Sequence, residues 1–336
     1  MAMDRAFVSR YWFLVALVML IPVGILVPEA GLALKDSGWV IPVFVGVMLG
    51  IAGFTMDTSS LVKQATNFQA VIPVLFSIYL FSPALAFGLG VWFAPAGNEH
   101  FLPAMMIMAA QAGSLASAIA LTMMSGGNRE LALICTLASN SLTFLLTPFI
   151  LNMSIGADVG FHVGEMMLRM LYMVLLPIAA GQLLRPLLWG RTEGIRPFIR
   201  IAPQIIILMF VYTGFASGAK QLQGTPEIVI RFFAACVILH LALLAWNYLL
   251  SGWLLFEWPD RTAMMLSGSQ KTLPNGIFVW SNFFAANPYG AVPLVLYHLF
   301  QLLVDTLLVP WFEKRNMKDG ESNTTASFSC HGAPKR

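Results

Sequence analysis

The chain has 336 residues, of which 58% are hydrophobic and only 10% are charged, and its mean hydropathy is +0.77. A soluble domain carries roughly 25% charged residues, so this composition excludes an ordinary soluble protein and predicts an all-α polytopic membrane protein. The net charge of +3 comes from basic residues spread over short loops, which argues against nucleic acid as a partner and leaves the lipid bilayer. Three cysteines do not make a disulfide framework.

Ten apolar stretches are long enough to cross a bilayer, because a spanning helix needs about 20 mostly apolar residues. In chain order they cover residues 10–32, 38–56, 68–94, 103–124, 130–153, 164–188, 199–219, 227–256, 261–284 and 290–312. The polar segment 313–336 is rich in Ser, Thr and Gly and predicts a disordered tail.

The basic residues predict how these spans are oriented. With the N-terminus inside, the outer segments keep only Lys35, Arg169, Lys220 and Arg231, whereas the other lysines and arginines of the loops and termini fall on the cytoplasmic side. By the positive-inside rule, this bias predicts a multi-pass protein of the cell inner (plasma) membrane with both termini in the cytoplasm.

Ten spans divide into two halves, residues 1–156 and 157–312, and an odd number of spans per half inverts the second five-helix repeat relative to the first. The fourth span carries Gly113-Ser114, and the ninth carries Gly268-Ser269 at an equivalent depth. The next span closes alike in each half, with Leu-Thr-Pro-Phe at 146–149 and Leu-Val-Pro-Trp at 308–311. Paired, interrupted hydrophobic segments indicate the binding site of a transporter near the middle of the membrane.

Lys271 is the only basic residue deep inside a span, in a polar stretch at 267–276 that apolar runs flank on both sides. An ammonium group in a bilayer costs about 2.5–3.5 kcal/mol on the insertion scale, so such residues are rare and usually functional. Irregular backbone at this depth is tolerated only where protein buries it or where it lines a cavity. Lys271 is therefore predicted to be a fixed counter-cation for an anion or a titrating proton carrier; the alternative is a side chain that reaches the interface and has no such role.

His298, Gln301 and Asp305 share one face of the tenth span, because they are spaced i, i+3 and i+7. A Lys271–Asp305 pair that opens when a proton or substrate enters would couple transport to a second solute. The alternative is that Asp305, near the end of its span, is merely hydrated. His240 in the eighth span is explained by a single interhelical hydrogen bond.

Three parts of the chain resemble the bile acid:sodium symporter superfamily and, within it, the divergent SBF-like branch. They are residues 53–56 with 61–63, residues 114–148, and residues 268–273 with 297–310. The resemblance implies a transporter of organic anions rather than an enzyme, with ten helices in two inverted repeats. It also implies a panel domain of spans one, two, six and seven, and a core domain whose discontinuous fourth and ninth helices cross.

The resemblance also implies roles for single residues. Gln270 matches a ninth-helix glutamine that sodium-dependent members use, and Thr136 falls on a fifth-helix ligand position, so both are candidate sodium ligands. Leu266 stands where the family has the glutamate that bridges two sodium ions, and Lys271 replaces an asparagine. Losing a carboxylate and gaining an ammonium disfavours two bound sodium ions electrostatically.

The sequence thus predicts a secondary transporter that moves a small organic anion by alternating access, coupled to sodium, to protons or to neither, and it predicts no organic cofactor. The candidate substrate-binding residues are Ser114, Ser117, Thr136, Ser269, Gln270 and Lys271, and the candidate coupling residues are Lys271, Asp305, His298 and Gln301. Two alternatives stay open: a proton-coupled cation exchanger of the same fold, in which Lys271 and Asp305 titrate in turn, and a non-transporting membrane factor. No residue spacing typical of an enzyme occurs.

Overall fold

The computed structural model describes residues 5–55, 68–159 and 162–330, and every regular element in these ranges is a helix. The helices are α1 Arg5–Leu26, α2 Glu29–Asp36, α3 Val40–Thr55, α4 Phe68–Phe93, α5 Phe101–Ala109, α6 Ser117–Met124, α7 Arg129–Val159, α8 Val163–Arg191, α9 Arg196–Ser217, α10 Ala219–Gly224, α11 Pro226–Trp253, α12 Trp258–Ser269, α13 Leu273–Phe283 and α14 Val292–Cys330. The prediction of an all-α fold is confirmed. The family-like segment 61–63 lies outside the described residues.

Six of the described helices are apolar and long enough to cross a membrane, namely α4, α7, α8, α9, α11 and α14. A seventh candidate is the pair α1 and α2, which is bent by 90°. The count differs from ten because three predicted spans are short or split. Helix α3 has 16 residues and is about 24 Å long, which is below the roughly 30 Å of a bilayer core. The fourth and ninth predicted spans are each divided into two short helices.

Helix α3 packs closely along α8, and α1 packs along α9. Two glycines permit the contact between α3 and α8: a Cβ atom on Gly53 would collide with the carbonyl oxygen of Ile178, and one on Gly181 with that of Gly50. Small residues at such contacts are typical of membrane helices, whose association depends on close packing. Elsewhere, α11 packs against both α12 and α14, and α7 against α4 and α12.

The polar segment from Glu313 continues helix α14 as far as Cys330. Contacts with the membrane part explain why α14 continues. Asn316 is buried and donates through Nδ2 to the carbonyl oxygen of Ser125 at 2.6 Å. Asp319 accepts from the backbone nitrogen of Trp258 at 2.9 Å. Residues 331–336 lie outside the described ranges.

Candidate functional site

The predicted fourth and ninth spans are each interrupted in the middle. Helix α5 ends at Ala109 and α6 begins at Ser117, while α12 ends at Ser269 and α13 begins at Leu273. Gln270 and Thr272 have extended backbone, with ψ angles of 148° and 126°, so the helical hydrogen-bond pattern stops there. The two breaks meet, because the backbone nitrogen of Thr272 donates to the carbonyl oxygen of Ala112 at 2.9 Å. We call this meeting point, residues 110–116 and 270–272, the crossover.

The Lys271 side chain lies in the crossover and is 2% exposed. Its Nζ donates to the carbonyl oxygens of Ile78 at 2.7 Å and Gln111 at 3.1 Å. Ile78 belongs to a π-helical turn of α4, Ser77–Phe81, a deviation from regular helix that is frequent at functional sites. No acidic side chain of the described residues pairs with Lys271. The ammonium is thus held by backbone carbonyl oxygens, the same kind of ligand that binds alkali cations in channels.

Side chains of the next predicted span, α7 for the first break and α14 for the second, bind the backbone of each break. Gln301 of α14 accepts from the backbone nitrogen of Lys271 at 2.8 Å and donates to its carbonyl oxygen at 3.0 Å. In α7, Ser139 accepts from the backbone nitrogen of Gly113 at 3.2 Å, and Asn140 donates to the Gly113 carbonyl oxygen at 2.8 Å. Each break therefore contains a residue whose N–H and C=O groups are both satisfied by side chains. This makes irregular backbone tolerable in a dry interior.

A chain of hydrogen bonds joins both breaks to Asp305. Ser114 Oγ and Ser117 Oγ are 2.6 Å apart, and Ser117 Oγ donates to Gln270 Oε1 at 2.6 Å. Because Ser117 uses its one proton on Gln270, Ser114 is the donor to Ser117. Gln270 Nε2 then donates to Asp305 Oδ2 at 2.6 Å. Four residues that the sequence selected thus lie in one network.

Asp305 pairs with His240 and not with Lys271. Asp305 Oδ1 lies 3.0 Å from His240 Nε2, and both side chains are fully buried. Tyr297 donates its hydroxyl proton to the carbonyl oxygen of Ser269 at 2.6 Å, so at 3.3 Å it can only accept from His240 Nδ1. The His240 imidazole is therefore held between the Tyr297 hydroxyl and the Asp305 carboxyl group. In this conformation Asp305 is fully buried, and its partners among the described residues are His240 and Gln270 rather than Lys271.

Thr136 and Ser269 contribute less to the site than the sequence predicts. Thr136 Oγ1 donates within its own helix, to the carbonyl oxygen of Ala132 at 2.8 Å. The Ser269 hydroxyl has no hydrogen-bond partner among the described residues. Both polar atoms of the Gln270 side chain are engaged by protein groups, and Leu266 provides no oxygen. The residues present therefore do not fit a sodium ion.

A cavity of about 660 Å³ lies beside the crossover. Its polar lining at the crossover comes from Ser114, Ser117, Thr272 and His298, and apolar side chains of α3 and α9 form much of the remaining wall. Sites for small molecules are typically of this size and mostly apolar, with a few polar groups that fix orientation. Lys271 is not part of the lining. In this conformation its Nζ contacts the backbone beside the cavity.

His298 presents a hydrogen-bond donor at the cavity wall. Its Nδ1 lies 3.0 Å from Gln301 Nε2, and because an amide nitrogen donates, Nδ1 is the acceptor. The imidazole proton is therefore on Nε2, which has no acceptor among the described residues. The sequence predicts His298 as a coupling residue, and the structure places it where a ligand can reach it.

Residues 11–314 match the model of the SBF-like CPA transporter family. The chain belongs to this family. An uncharacterised protein of Pseudomonas aeruginosa is 26% identical over 314 residues, covering 90% of this chain and 93% of that one. The sodium/bile acid cotransporter 7 of Mus musculus is 24% identical over 319 residues, covering 92% and 93%. "Probable sodium/metabolite cotransporter BASS4, chloroplastic" of Arabidopsis thaliana is 26% identical over 292 residues, covering 82% and 66%.

Membership of the SBF-like CPA transporter family confirms the predicted family, and with the apolar helices it supports a multi-pass membrane transporter. Two contributors to the site of this SBF-like protein were not predicted. His240 was assigned a single packing hydrogen bond, although an ionisable group inside a span is by default a functional candidate. Ile78 contributes only its backbone, so its side chain gives no signal.

Proposed function

We propose that this protein is a secondary transporter that moves a small organic anion across the cell inner membrane by alternating access, with both termini in the cytoplasm. The observation that carries the proposal is the position of Lys271, a buried ammonium held where two interrupted helices meet beside a cavity. Binding sites of secondary transporters typically form at such interrupted helices near the middle of the bilayer. The relatives named as cotransporters support the same activity.

For the architecture, we propose ten spans in two inverted repeats, residues 1–156 and 157–312. The two breaks are stabilised alike, which supports the repeat. Gln301 of the next predicted span binds the backbone of Lys271 at the second break. Ser139 and Asn140 of the next predicted span bind the backbone of Gly113 at the first break. The mutual packing of α3 with α8 and of α1 with α9 supports a panel domain. The cavity is lined by residues of α3 and α9 on one side and of the crossover and α14 on the other, so rocking of panel against core would open it to alternate sides.

An anionic substrate is supported by the charge balance of the crossover. Lys271 has no acidic partner among the described residues, whereas Asp305 is paired with His240. In this proposal Lys271 supplies, without a bound ion, the positive charge that sodium supplies in other members. Ser114, Ser117 and Gln270 would then transmit occupancy of the cavity to Asp305 through their hydrogen bonds, while Thr136 and Ser269 support the surrounding backbone.

The test is uptake of radiolabelled taurocholate and octanoate by proteoliposomes that contain wild type or Lys271→Gln. We expect Lys271→Gln to abolish uptake, because a neutral amide cannot replace the charge. Lys318→Gln is the matched control, since Lys318 is exposed on α14, and it should transport like wild type. Unchanged uptake by Lys271→Gln would contradict the proposal.

One observation favours proton coupling as a second candidate. The fully buried His240–Asp305 pair lies in the network that reaches the cavity, and intramembrane acid and histidine groups often mark proton relays. The corresponding exchanger would take up labelled sodium against an imposed pH gradient. Such exchange should be lost in Asp305→Asn, and exchange that persists in that variant would exclude this candidate.

A further inference from the structure

The cavity wall contains one charged side chain, Arg196, at the first position of α9. No other Lys, Arg, Asp or Glu is among the described residues that line the cavity. Trp189, which precedes α9, lines the same wall. The sequence counts Arg196 only among the basic residues that fall on the cytoplasmic side, so its place at the cavity appears only in the structure.

Arg196 is positioned by Trp189 but is not neutralised by an acid. Its Cζ atom lies 5.1 Å from the centroid of the Trp189 ring, which is a cation–π distance. The nearest acid is Glu193, at 3.9 Å in a pair whose side chains are 45% and 77% exposed. Such a long, exposed pair contributes little. Most of the five N–H donors of the guanidinium therefore stay available for a ligand.

The rest of the lining indicates the shape of the ligand. The crossover end of the cavity offers uncharged hydroxyl groups and the Nε2–H group of His298, and Lys271 does not reach the cavity. Most of the remaining wall is apolar, with residues such as Leu49, Ala52 and Ile207, and its other polar side chains are Thr55 and Gln204, which carry no charge. A solute that satisfies both ends has an apolar body and one anionic group.

On the basis of the transport function proposed above, we propose that Arg196, oriented by Trp189, binds the carboxylate or sulfonate of the transported solute. The planar guanidinium matches either group with two parallel hydrogen bonds. The headgroup of an anionic lipid offers the same chemistry, so the experiment separates a free organic anion from a lipid.

Binding is measured by calorimetry on protein in phosphatidylcholine nanodiscs, with octanoate and its uncharged analogue octanamide as probes. The variants are Arg196→Gln, Arg196→Lys and the control Arg191→Gln. Arg191 is an exposed residue of the same loop that does not line the cavity. Replacing phosphatidylcholine in part by phosphatidylglycerol gives the lipid arm.

We expect Arg196→Gln to weaken octanoate binding about tenfold, the size of one lost charge-assisted hydrogen bond, and to leave octanamide binding unchanged. Arg196→Lys should fall between, and Arg191→Gln should equal wild type. Equal octanoate affinity in wild type and Arg196→Gln, equal losses for both probes, or no octanoate binding to wild type would each overturn the proposal. The proposal would also be overturned if Arg196 affected only the response to phosphatidylglycerol and not the binding of octanoate. Octanoate that binds through Arg196 but is not transported would contradict the transport function and leave this assignment standing.

Discussion

Two basic side chains, Lys271 and Arg196, lie near the cavity, and they differ in burial and in their partners. Lys271 is 2% exposed, and its ammonium donates to two backbone carbonyl oxygens. The Arg196 side chain is 45% exposed, stacks on Trp189 and has only a loose acidic partner. Lys271 therefore uses its side-chain nitrogen to bind the protein backbone, whereas the guanidinium of Arg196 is available to a solute. The partners of a basic residue, more than its depth in the membrane, therefore indicate its role.

The largest loss of stability is expected when Asp305, the buried partner of His240 and Gln270, is removed. Asp305→Leu leaves the donors of His240 and Gln270 unpaired in a dry interior. We expect the free energy of unfolding to fall by about 3–5 kcal/mol, the usual cost of removing one partner of a buried pair. The measurement is denaturant unfolding in mixed micelles.

The double variant His240→Leu, Asp305→Leu sharpens this test. Replacing both partners by apolar groups removes most unpaired charge, so the loss should be smaller than the sum of the two single losses. Strictly additive losses would show that the two side chains do not interact.

The next largest loss of stability is expected when a side chain that binds the backbone of a break is removed. Gln301→Leu leaves the N–H and C=O groups of Lys271 without partners, and we expect a loss of about 2–4 kcal/mol. Asn140→Leu, which frees the Gly113 carbonyl oxygen, should cost a similar or somewhat smaller amount. Gln204→Leu is the control, because Gln204 lines the cavity and none of the hydrogen bonds of the two breaks in the described residues involves it. A control as unstable as Gln301→Leu would contradict the clamping role.

A smaller effect is expected where the network reaches the cavity. Ser117→Ala leaves Gln270 Oε1 without a donor and should cost about 1–3 kcal/mol. Ser114→Ala removes only the donor to Ser117 and should cost about 1 kcal/mol. The reverse order in unfolding measurements would show that the donor directions assigned here are wrong.

The smallest effect on stability is expected at the cavity wall. Arg196→Gln should change the free energy of unfolding by less than about 0.5 kcal/mol, as is usual for exposed positions without committed partners. Its effect should instead appear in ligand affinity. A large loss of stability in Arg196→Gln would remove the difference between the two basic residues.

The crossover could be located from the sequence because polar and small residues interrupt apolar runs. The stretches around Gly113-Ser114 and Gly268-Ser269 break the pattern at equivalent depths, and Lys271 is out of place in a span by charge alone. The shared face of Gln301 and Asp305 also followed from their spacing.

Other features could not be predicted, because they depend on contacts between distant segments. Periodicity shows which face Asp305 occupies but not that His240, 65 residues away, is its partner. The carbonyl oxygen of Ile78 belongs to a π-helical turn in an ordinary apolar sequence. Composition also does not show that Asn316, in the polar segment after Glu313, is buried and bonded to the carbonyl oxygen of Ser125. Hydropathy also does not distinguish a continuous helix from a broken one, so it did not show that the fourth and ninth predicted spans each consist of two short helices.

The central claim is that the Lys271 side chain takes the place of a bound sodium ion. Its most direct test is whether sodium raises the melting temperature of the protein. Wild-type protein in nanodiscs is titrated with sodium chloride, and choline chloride keeps the ionic strength constant. We predict no sodium-specific rise of the melting temperature, because the Lys271 side chain already binds the carbonyl oxygens of Ile78 and Gln111. A bound sodium ion at one hundred times its dissociation constant would stabilise the fold by about 2.7 kcal/mol, so a sodium-specific rise of that size would contradict this role of Lys271.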